Sequence, residues 1–189
     1  MYKSVLNKTW QPKEISNDLI NRYMQLFSLG EVEARILATR GIEEKHVPDF
    51  LDPKLRNLLP DPYHLLDMET AANRTVKAIL ENEKICIFGD YDVDGATSSA
   101  LLKKFLYSVS GDVQVYIPDR MKEGYGPSPE AMVKLHQKGV KLVITVDCGA
   151  MSYSAIDAAN ALGLEVIVID HHICADVLPK AVAVINPNR

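Results

Sequence analysis

Residues 84–99, KICIFGDYDVDGATSS, decide the fold of this chain. The apolar run Ile85–Phe88 predicts a buried strand, and the small residues at the end of the stretch predict the start of a helix. Between them lie Asp90, Asp92 and Asp94, three carboxylates that repel one another at neutral pH, and burial raises that cost. One interpretation is a solvated acidic turn. The position between a buried strand and a helix, where open α/β sheets bind ligands, favours a turn that holds a cation.

Two other motifs fit part of this stretch. Residues 90–95 match the first half of a calcium-binding helix–loop–helix loop, but the twelfth position is Leu101 instead of Glu, and a strand precedes the motif, so we exclude it. Residues 92–95, DVDG, are similar to the nucleophilic aspartate turn of the haloacid-dehalogenase phosphatases, although Ala96 stands where those have Thr. That alternative predicts a phospho-aspartate at Asp92 and stays open.

The composition is that of an ordinary folded protein. The chain has 189 residues, of which 47% are hydrophobic and 24% charged. Its formal net charge of −4 argues against binding nucleic acid through overall charge, but not against a local basic groove or binding through metals. No apolar run approaches membrane-spanning length, and the N-terminal residues lack a signal-peptide core. The missing apolar run predicts that the chain does not associate with a membrane. Cys86, Cys148 and Cys174 are scattered, which predicts unpaired thiols and a cytoplasmic protein.

The predicted secondary structure changes once along the chain, from helices alone to alternating helices and strands. Residues 1–66 predict a small helical N-terminal segment, and residues 67–189 predict an α/β domain. Continuous apolar strands that alternate with amphipathic helices predict a doubly wound, mainly parallel sheet covered on both faces. Strands are predicted at Ile85–Phe88, Val113–Ile117, Leu142–Val146, Val166–Ile169 and Ala181–Ile185, and helices at Met68–Leu80, Ala96–Val109, Ser128–Lys138 and Ser152–Leu162.

Acidic and imidazole side chains follow three of the predicted strands. The acidic triplet follows the first, Asp147 the third, and Asp170, His171 and His172 the fourth. Because the carboxyl ends of parallel strands share one edge of a sheet, we expect these side chains to meet in one crevice. A single Asp after a strand is often only a helix cap, but three such strand ends are not explained by capping. Oxygen and imidazole ligands suit manganese, and also magnesium or zinc.

Four stretches of the chain resemble successive motifs of the DHH phosphoesterases, and within them of the RecJ-type exonucleases that act on single-stranded DNA. The N-terminal segment, through FLDPKL at residues 50–55, is also similar to that family. The four motifs are GDYDVDGATSS at 89–99, IPDRMKEGYG at 117–126, TVDCG at 145–149 and DHH at 170–172.

The resemblance implies a role for each matching position. His172 would face the scissile phosphate, and Asp170 would orient the imidazoles from outside the ligand set. The metal ligands that it implies are Asp90, Asp92, Asp94, Asp147 and His171, with Asp147 placed to bridge two ions. Asp90 would be either a ligand or a hydrogen-bond acceptor that supports the ligands. The catalytic residues that it implies are Asp92, Asp94, Asp147, His171 and His172.

The segment RMKEGYG, residues 120–126, is the other informative stretch. It fits a flexible surface loop, since Gly124 and Gly126 permit unusual backbone angles. In the related family the corresponding loop borders the substrate. There Arg120 would bind a backbone phosphate and Tyr125 would stack on an unpaired base.

The implied activity is metal-dependent, 5′-to-3′ hydrolysis of single-stranded DNA in repair and recombination, with manganese, or else magnesium, as the cofactor. Single-strand-binding protein or a helicase would be partners by resemblance. Two alternatives stay open: a small-substrate DHH phosphodiesterase or pyrophosphatase, and a non-catalytic DHH-fold binding module. The resemblance also implies a further metal-ligand aspartate and further domains beyond Arg189. We therefore expect a truncated form whose domain is incomplete at its C-terminal end and whose metal site is weakened.

Overall fold

The computed structural model describes residues 2–109 and 111–189. The chain divides into two compact units, Met1–Pro60 and Asp61–Arg189. The domain boundary predicted between residues 66 and 67 stays a prediction. Among the described residues, no helix combines the length and the apolar character that crossing a bilayer requires.

The first unit is mainly helical, as the sequence predicts. Ser16 Oγ accepts a hydrogen bond from the Asp18 N–H (3.2 Å) at the start of its first helix, and Gly41 takes a left-handed backbone (φ 71°) after the second. A small antiparallel hairpin precedes the helices, and the purely helical prediction missed it because its strands are too short to show a period. The elements are β1 (Tyr2–Lys3), β2 (Thr9–Trp10), α1 (Asn17–Phe27), α2 (Glu31–Arg40), α3 (Val47–Leu51) and α4 (Leu55–Leu58).

The second unit alternates helices and strands. Every predicted strand and helix of this unit is present, with ends that differ by three residues at most. The elements are α5 (Met68–Leu80), β3 (Lys84–Gly89), α6 (Val93–Ser108), β4 (Val113–Tyr116), α7 (Pro129–Gln137), β5 (Val140–Val146), α8 (Tyr153–Ala161), β6 (Glu165–Ile169) and β7 (Ala183–Ile185).

The five strands of this unit form one parallel sheet in the order β4-β3-β5-β6-β7. Side chains of β3 alternate between its faces: Ile85 and Ile87 pack with residues of α5 and α6, and Cys86 and Phe88 pack with residues of α7 and α8. All four are fully buried. Helices therefore cover both faces, which confirms the predicted doubly wound class and explains why the strand is apolar throughout.

The strand order places one crevice at the centre of the sheet. The chain leaves β3 through α6 to reach β4 on one side, and returns through α7 to β5 on the other side. The loops after β3 and β5 therefore diverge at the point where doubly wound sheets bind their ligands. Because β6 is the next strand along, the residues that follow β3, β5 and β6 lie at the same edge.

Candidate metal centre

The β3 end brings two carboxylates to the crevice. Asp90 is buried (4% exposed), and its Oδ1 accepts a hydrogen bond from the Tyr91 N–H at 2.7 Å. Asp92 Oδ1 accepts one from the Gly95 N–H at 2.9 Å and caps α6, so the pKa of Asp92 lies below its ordinary value. The helix therefore begins at Val93, whereas the sequence analysis predicted a start at Ala96. The acidic triplet was predicted to lie in a loop before the helix, but Asp92 is the N-cap of α6 and Asp94 lies in its first turn.

Gly95 allows this turn to close tightly. A Cβ atom on Gly95 would lie 2.5–2.7 Å from the backbone N, C and O of Asp90. Any larger residue would push the first turn of α6 away from the end of β3. The small residue at this position thus keeps the Asp90 and Asp92 carboxylates together.

Asp147 follows β5 and is the central residue of the crevice. It is 7% exposed, and its backbone is left-handed (φ 61°), which is uncommon outside glycine. Its N–H donates to the Ile169 carbonyl at 2.9 Å, which ties the turn to β6. Burial, together with the nearby Asp92 carboxylate, raises the pKa of Asp147 above its ordinary value. A strained backbone and a destabilised anion meet here, which is typical of a functional site.

The β6 end supplies the imidazoles and their support. His171 Nε2 lies 2.9 Å from Asp147 Oδ1, and His172 Nδ1 lies 2.7 Å from Asp170 Oδ1. Asp170 also accepts the N–H groups of His171 (2.8 Å) and Ala150 (2.9 Å). Burial disfavours the Asp170 carboxylate, but these hydrogen bonds outweigh it, and its pKa is lowered. The hydrogen bond with Asp170 in turn raises the pKa of His172.

The ligand atoms form two groups that share one residue. Asp90, Asp92 and Asp147 each place a carboxylate oxygen within 4.8 Å of the others, and so do the ligand atoms of Asp147, His171 and His172. Both groups contain Asp147. The predicted convergence of three strand ends is therefore present in the structure.

Asp94 lies apart from these two groups. It is exposed in the first turn of α6 and belongs to neither three-residue cluster among the described residues. It lines a cleft of about 360 Å³ that Asp147 and His171 also line. Asp90, Asp92 and His172 instead line a cavity of about 570 Å³. Asp147 lines the first of these spaces, and its carboxylate lies within 4.8 Å of ligand atoms of Asp90 and Asp92, which line the second.

The donor set fits a cation. Within residues 2–109 and 111–189, imidazole nitrogens lie 2.9 Å from Asp147 and 2.7 Å from Asp170, and no lysine or arginine nitrogen lies within 4.0 Å of a carboxylate oxygen of Asp90, Asp147 or Asp170. Three buried carboxylates without a lysine or arginine partner leave an excess of negative charge. Hard oxygen ligands with imidazole suit Mn²⁺ or Mg²⁺.

The loop after β4 borders the same crevice. Tyr125 O–H donates to the Asp147 carbonyl at 3.3 Å, and its ring lies edge-on to those of Tyr91 and His172, with centroids 6.4 and 6.3 Å away. The Arg120 guanidinium carbon lies 5.0 Å from the centre of the Tyr91 ring. The predicted glycines, Gly124 and Gly126, flank Tyr125 with left-handed backbones (φ 81° and 71°).

Tyr91 is a candidate residue that the sequence analysis missed. It lies between two carboxylates of the acidic triplet, and its ring forms the surface beneath Arg120. The signal available in the sequence was an aromatic residue between two aspartates of a ligand motif. The structure shows that Tyr91 is only partly buried.

Comparison with known proteins agrees with this geometry. Residues 84–189 match the DHH family, N-terminal domain. Single-stranded-DNA-specific exonuclease RecJ of Bacillus subtilis strain 168 is 35% identical over 95% of this chain and 23% of its own length. The RecJ of Dickeya dadantii strain 3937 is 41% identical over 85% of this chain and 27% of its own. The chain spans about a quarter of the length of these curated relatives.

Solved structures show the same likeness. RecJ of Thermus thermophilus in complex with Mn²⁺ is 28% identical, with a TM-score of 0.68 over 90% of this chain and 23% of that chain. The same protein in complex with Mg²⁺ is 27% identical, with a TM-score of 0.51 over 82% of this chain and 18% of that chain. The resemblance to the RecJ-type exonucleases is confirmed. Because the family match covers more than half of the sequence and contains all three strand ends of the crevice, the chain belongs to the DHH family.

Proposed function

We propose that this chain carries the metal centre of a nuclease that hydrolyses phosphodiester bonds in single-stranded DNA from an end. The observation that carries the proposal is the shared position of Asp147, which lies within ligand distance of Asp92 on one side and His171 on the other. The relatives named as single-stranded-DNA-specific exonucleases support the choice of substrate.

Divalent cations are the proposed cofactors, with Mn²⁺ preferred and Mg²⁺ as the second choice, because related structures were solved with these two ions. The residues that would hold them are Asp90, Asp92, Asp147 and His171. Asp94 would contribute in the cleft of about 360 Å³ that it lines with Asp147 and His171. When bound, such a cation draws electron density from a phosphate oxygen and neutralises charge near the reacting phosphorus.

His172 has the geometry of a proton donor to the phosphate. The Asp170 carboxylate accepts the hydrogen bond at Nδ1, which leaves Nε2 as the nitrogen that faces away from that support. Since Asp170 raises the pKa of His172, the imidazolium form persists to higher pH than for a free histidine. A protonated Nε2 donates a hydrogen bond to a phosphate oxygen and stabilises its negative charge.

The β4 loop supplies the contacts for a single strand. The Arg120 guanidinium lies over the Tyr91 ring, with its central carbon 5.0 Å from the ring centre. We propose that its N–H groups donate two parallel hydrogen bonds to a phosphate. Tyr125 is 56% exposed and offers its ring to an unpaired base. A base inside a duplex has no free face, so this loop favours unpaired DNA.

Further parts of the proposal depend on the resemblance to RecJ alone. They are a role in repair and recombination, 5′-to-3′ direction, a cytoplasmic location, and single-strand-binding protein or a helicase as partners. Membership of the DHH family favours metal chemistry over the phospho-aspartate alternative at Asp92.

The experiment is hydrolysis of a labelled, 5′-phosphorylated single strand with Mn²⁺, with the matching duplex in parallel. We expect Mn²⁺-dependent cleavage of the single strand, lost in Asp147→Asn and retained in the control Asp157→Asn, an exposed aspartate on α8. Faster turnover of dinucleotides than of long strands would favour the small-substrate phosphodiesterase. Strand binding without cleavage, unchanged in Asp147→Asn, would favour the binding module.

A further inference from the structure

One carboxylate, that of Glu123, connects the loop that carries Arg120 and Tyr125 to the neighbouring strand and helix. Glu123 Oε2 accepts hydrogen bonds from the Tyr116 hydroxyl and from Lys134 Nζ, the latter at 3.2 Å. Its Oε1 accepts the Asp119 N–H at 3.2 Å. Glu123 thus connects the loop to β4, through Tyr116, and to α7, through Lys134.

These attachments lead into the core. The Tyr116 ring stacks on Phe88 with centroids 5.2 Å apart, and Phe88 is fully buried in β3. The Glu123 side chain is 20% exposed, so its hydrogen bonds are partly shielded from water. The loop is therefore anchored to the same strand whose end carries Asp90.

The backbone on either side of Tyr125 is glycine, which restricts the conformation of the chain less than any other residue does. Gly124 and Gly126, which flank Tyr125, both have left-handed backbones that only glycine adopts freely. An added Cβ on Gly124 would meet nothing within 4 Å, so packing does not restrain the chain at Gly124, whereas Gly126 is buried. Glu123 directly precedes Gly124, the less restrained of the two glycines.

We infer that Glu123 is a positioning residue that sets Tyr125 and Arg120 beside the metal centre. The three groups that face it are all donors, and a carboxylate, which only accepts, satisfies all of them. An amide at this position turns an N–H₂ group toward at least one of those donors. The part of this inference that concerns DNA rests on the proposed function. The anchoring of the loop by Glu123 does not depend on DNA.

The test compares the unchanged chain with Glu123→Gln, Tyr116→Phe and the control Glu130→Gln, an exposed carboxylate on α7. Three quantities are measured: amide hydrogen exchange of residues 119–126, Mn²⁺ affinity by calorimetry, and affinity for a labelled single strand by fluorescence anisotropy in Mn²⁺. We expect faster exchange in the loop and about tenfold weaker strand binding in Glu123→Gln, because the binding-competent loop becomes less populated. Mn²⁺ affinity should not change, since no metal-facing residue is touched.

The outcomes separate this inference from the proposed function. If amide hydrogen exchange of residues 119–126 stays unchanged in both Glu123→Gln and Tyr116→Phe, the positioning role of Glu123 is overturned, whether or not DNA binds. Equal loss of Mn²⁺ affinity and strand affinity also overturns it, because that pattern indicates general unfolding. If the unchanged chain binds no single strand, the proposed function fails, and faster loop exchange in the variants still supports the anchor. Should Glu123→Gln fail to fold, Tyr116→Phe, which removes a single donor, decides by the same measurements.

Discussion

His171 Nε2 lies 2.9 Å from Asp147 Oδ1, although the two residues are 24 positions apart in the sequence. Asp147 is almost fully buried and His171 is mostly exposed, so the pair runs from the interior to the surface of the crevice. Parallel pairing of β5 with β6 produces this contact, because each residue directly or closely follows the end of its strand. A ligand pair of this kind is assembled by the sheet and not by local sequence.

The first prediction concerns the surface beneath Arg120. Tyr91→Leu should weaken single-strand binding about two- to fivefold, because the guanidinium loses the aromatic face on which it rests. Tyr91→Phe keeps that face and should bind as the unchanged chain does. Fluorescence anisotropy with a labelled oligonucleotide measures both variants. Equal weakening in Phe and Leu would mean that the hydroxyl, and not the ring, matters at this position.

The second prediction concerns the tight turn at Gly95. Gly95→Ala should lower the free energy of unfolding by about 1–3 kcal/mol, because its methyl group would overlap the Asp90 backbone. The displaced carboxylates should also bind Mn²⁺ more weakly. Urea denaturation and calorimetry measure the two effects, with the exposed neighbour Ala96→Ser as the control. A Gly95→Ala protein of unchanged stability would contradict the close approach of α6 to β3.

Asp170 gives the third prediction. Asp170→Asn should slow hydrolysis about tenfold to hundredfold, because an amide supplies one acceptor where the carboxylate receives N–H groups from Ala150, His171 and His172. The rate of single-strand cleavage is the measurement, and Asp176→Asn, an exposed aspartate of the following loop, is the control. Equal cleavage rates in Asp170→Asn and the control would show that the support of the histidines by Asp170 does not matter for hydrolysis.

The fourth prediction is a pH dependence away from the crevice. Asp67 Oδ2 accepts hydrogen bonds from Arg189 Nη1 (2.6 Å) and the Val184 N–H (3.1 Å), and these lower the pKa of Asp67 below its ordinary 3.8. A lowered folded-state pKa adds stability that is present above the unfolded-state pKa and is lost as pH falls through the folded value. Asp67→Asn should therefore have a lower urea midpoint near neutral pH. The difference in urea midpoint should narrow as pH falls below about 4 and close below the folded-state pKa of Asp67. A difference that is constant with pH would contradict the ion pair.

Much of this molecule could be predicted from the sequence. The apolar run of β3 and the alternation that follows indicate a parallel sheet, because a strand buried on both faces must be apolar throughout. The acidic ends of β3, β5 and β6 then converge for topological reasons alone. The family motifs added the expected roles of His172 and of the β4 loop.

Other features depend on contacts that a sequence does not display. The start of α6 was misplaced because Asp92 serves as both a cap and a candidate ligand, and residue type does not separate these uses. The left-handed backbone of Asp147 could not be predicted, because the sequence has no glycine at that position. The support that Tyr91 gives to Arg120 and the anchoring by Glu123 join residues of separate elements through side-chain geometry, which no periodicity records.

The most direct test of the central claim is calorimetric titration of this chain with Mn²⁺, alongside Asp92→Asn, Asp94→Asn and Asp147→Asn. Asp147 belongs to both groups of ligand atoms, one with Asp92 and one with His171, and it lines the cleft that Asp94 lines. We predict that Asp92→Asn and Asp94→Asn each weaken a different binding event, and that Asp147→Asn abolishes Mn²⁺ binding altogether. Mn²⁺ binding by Asp147→Asn with the affinity of the unchanged chain would contradict the account.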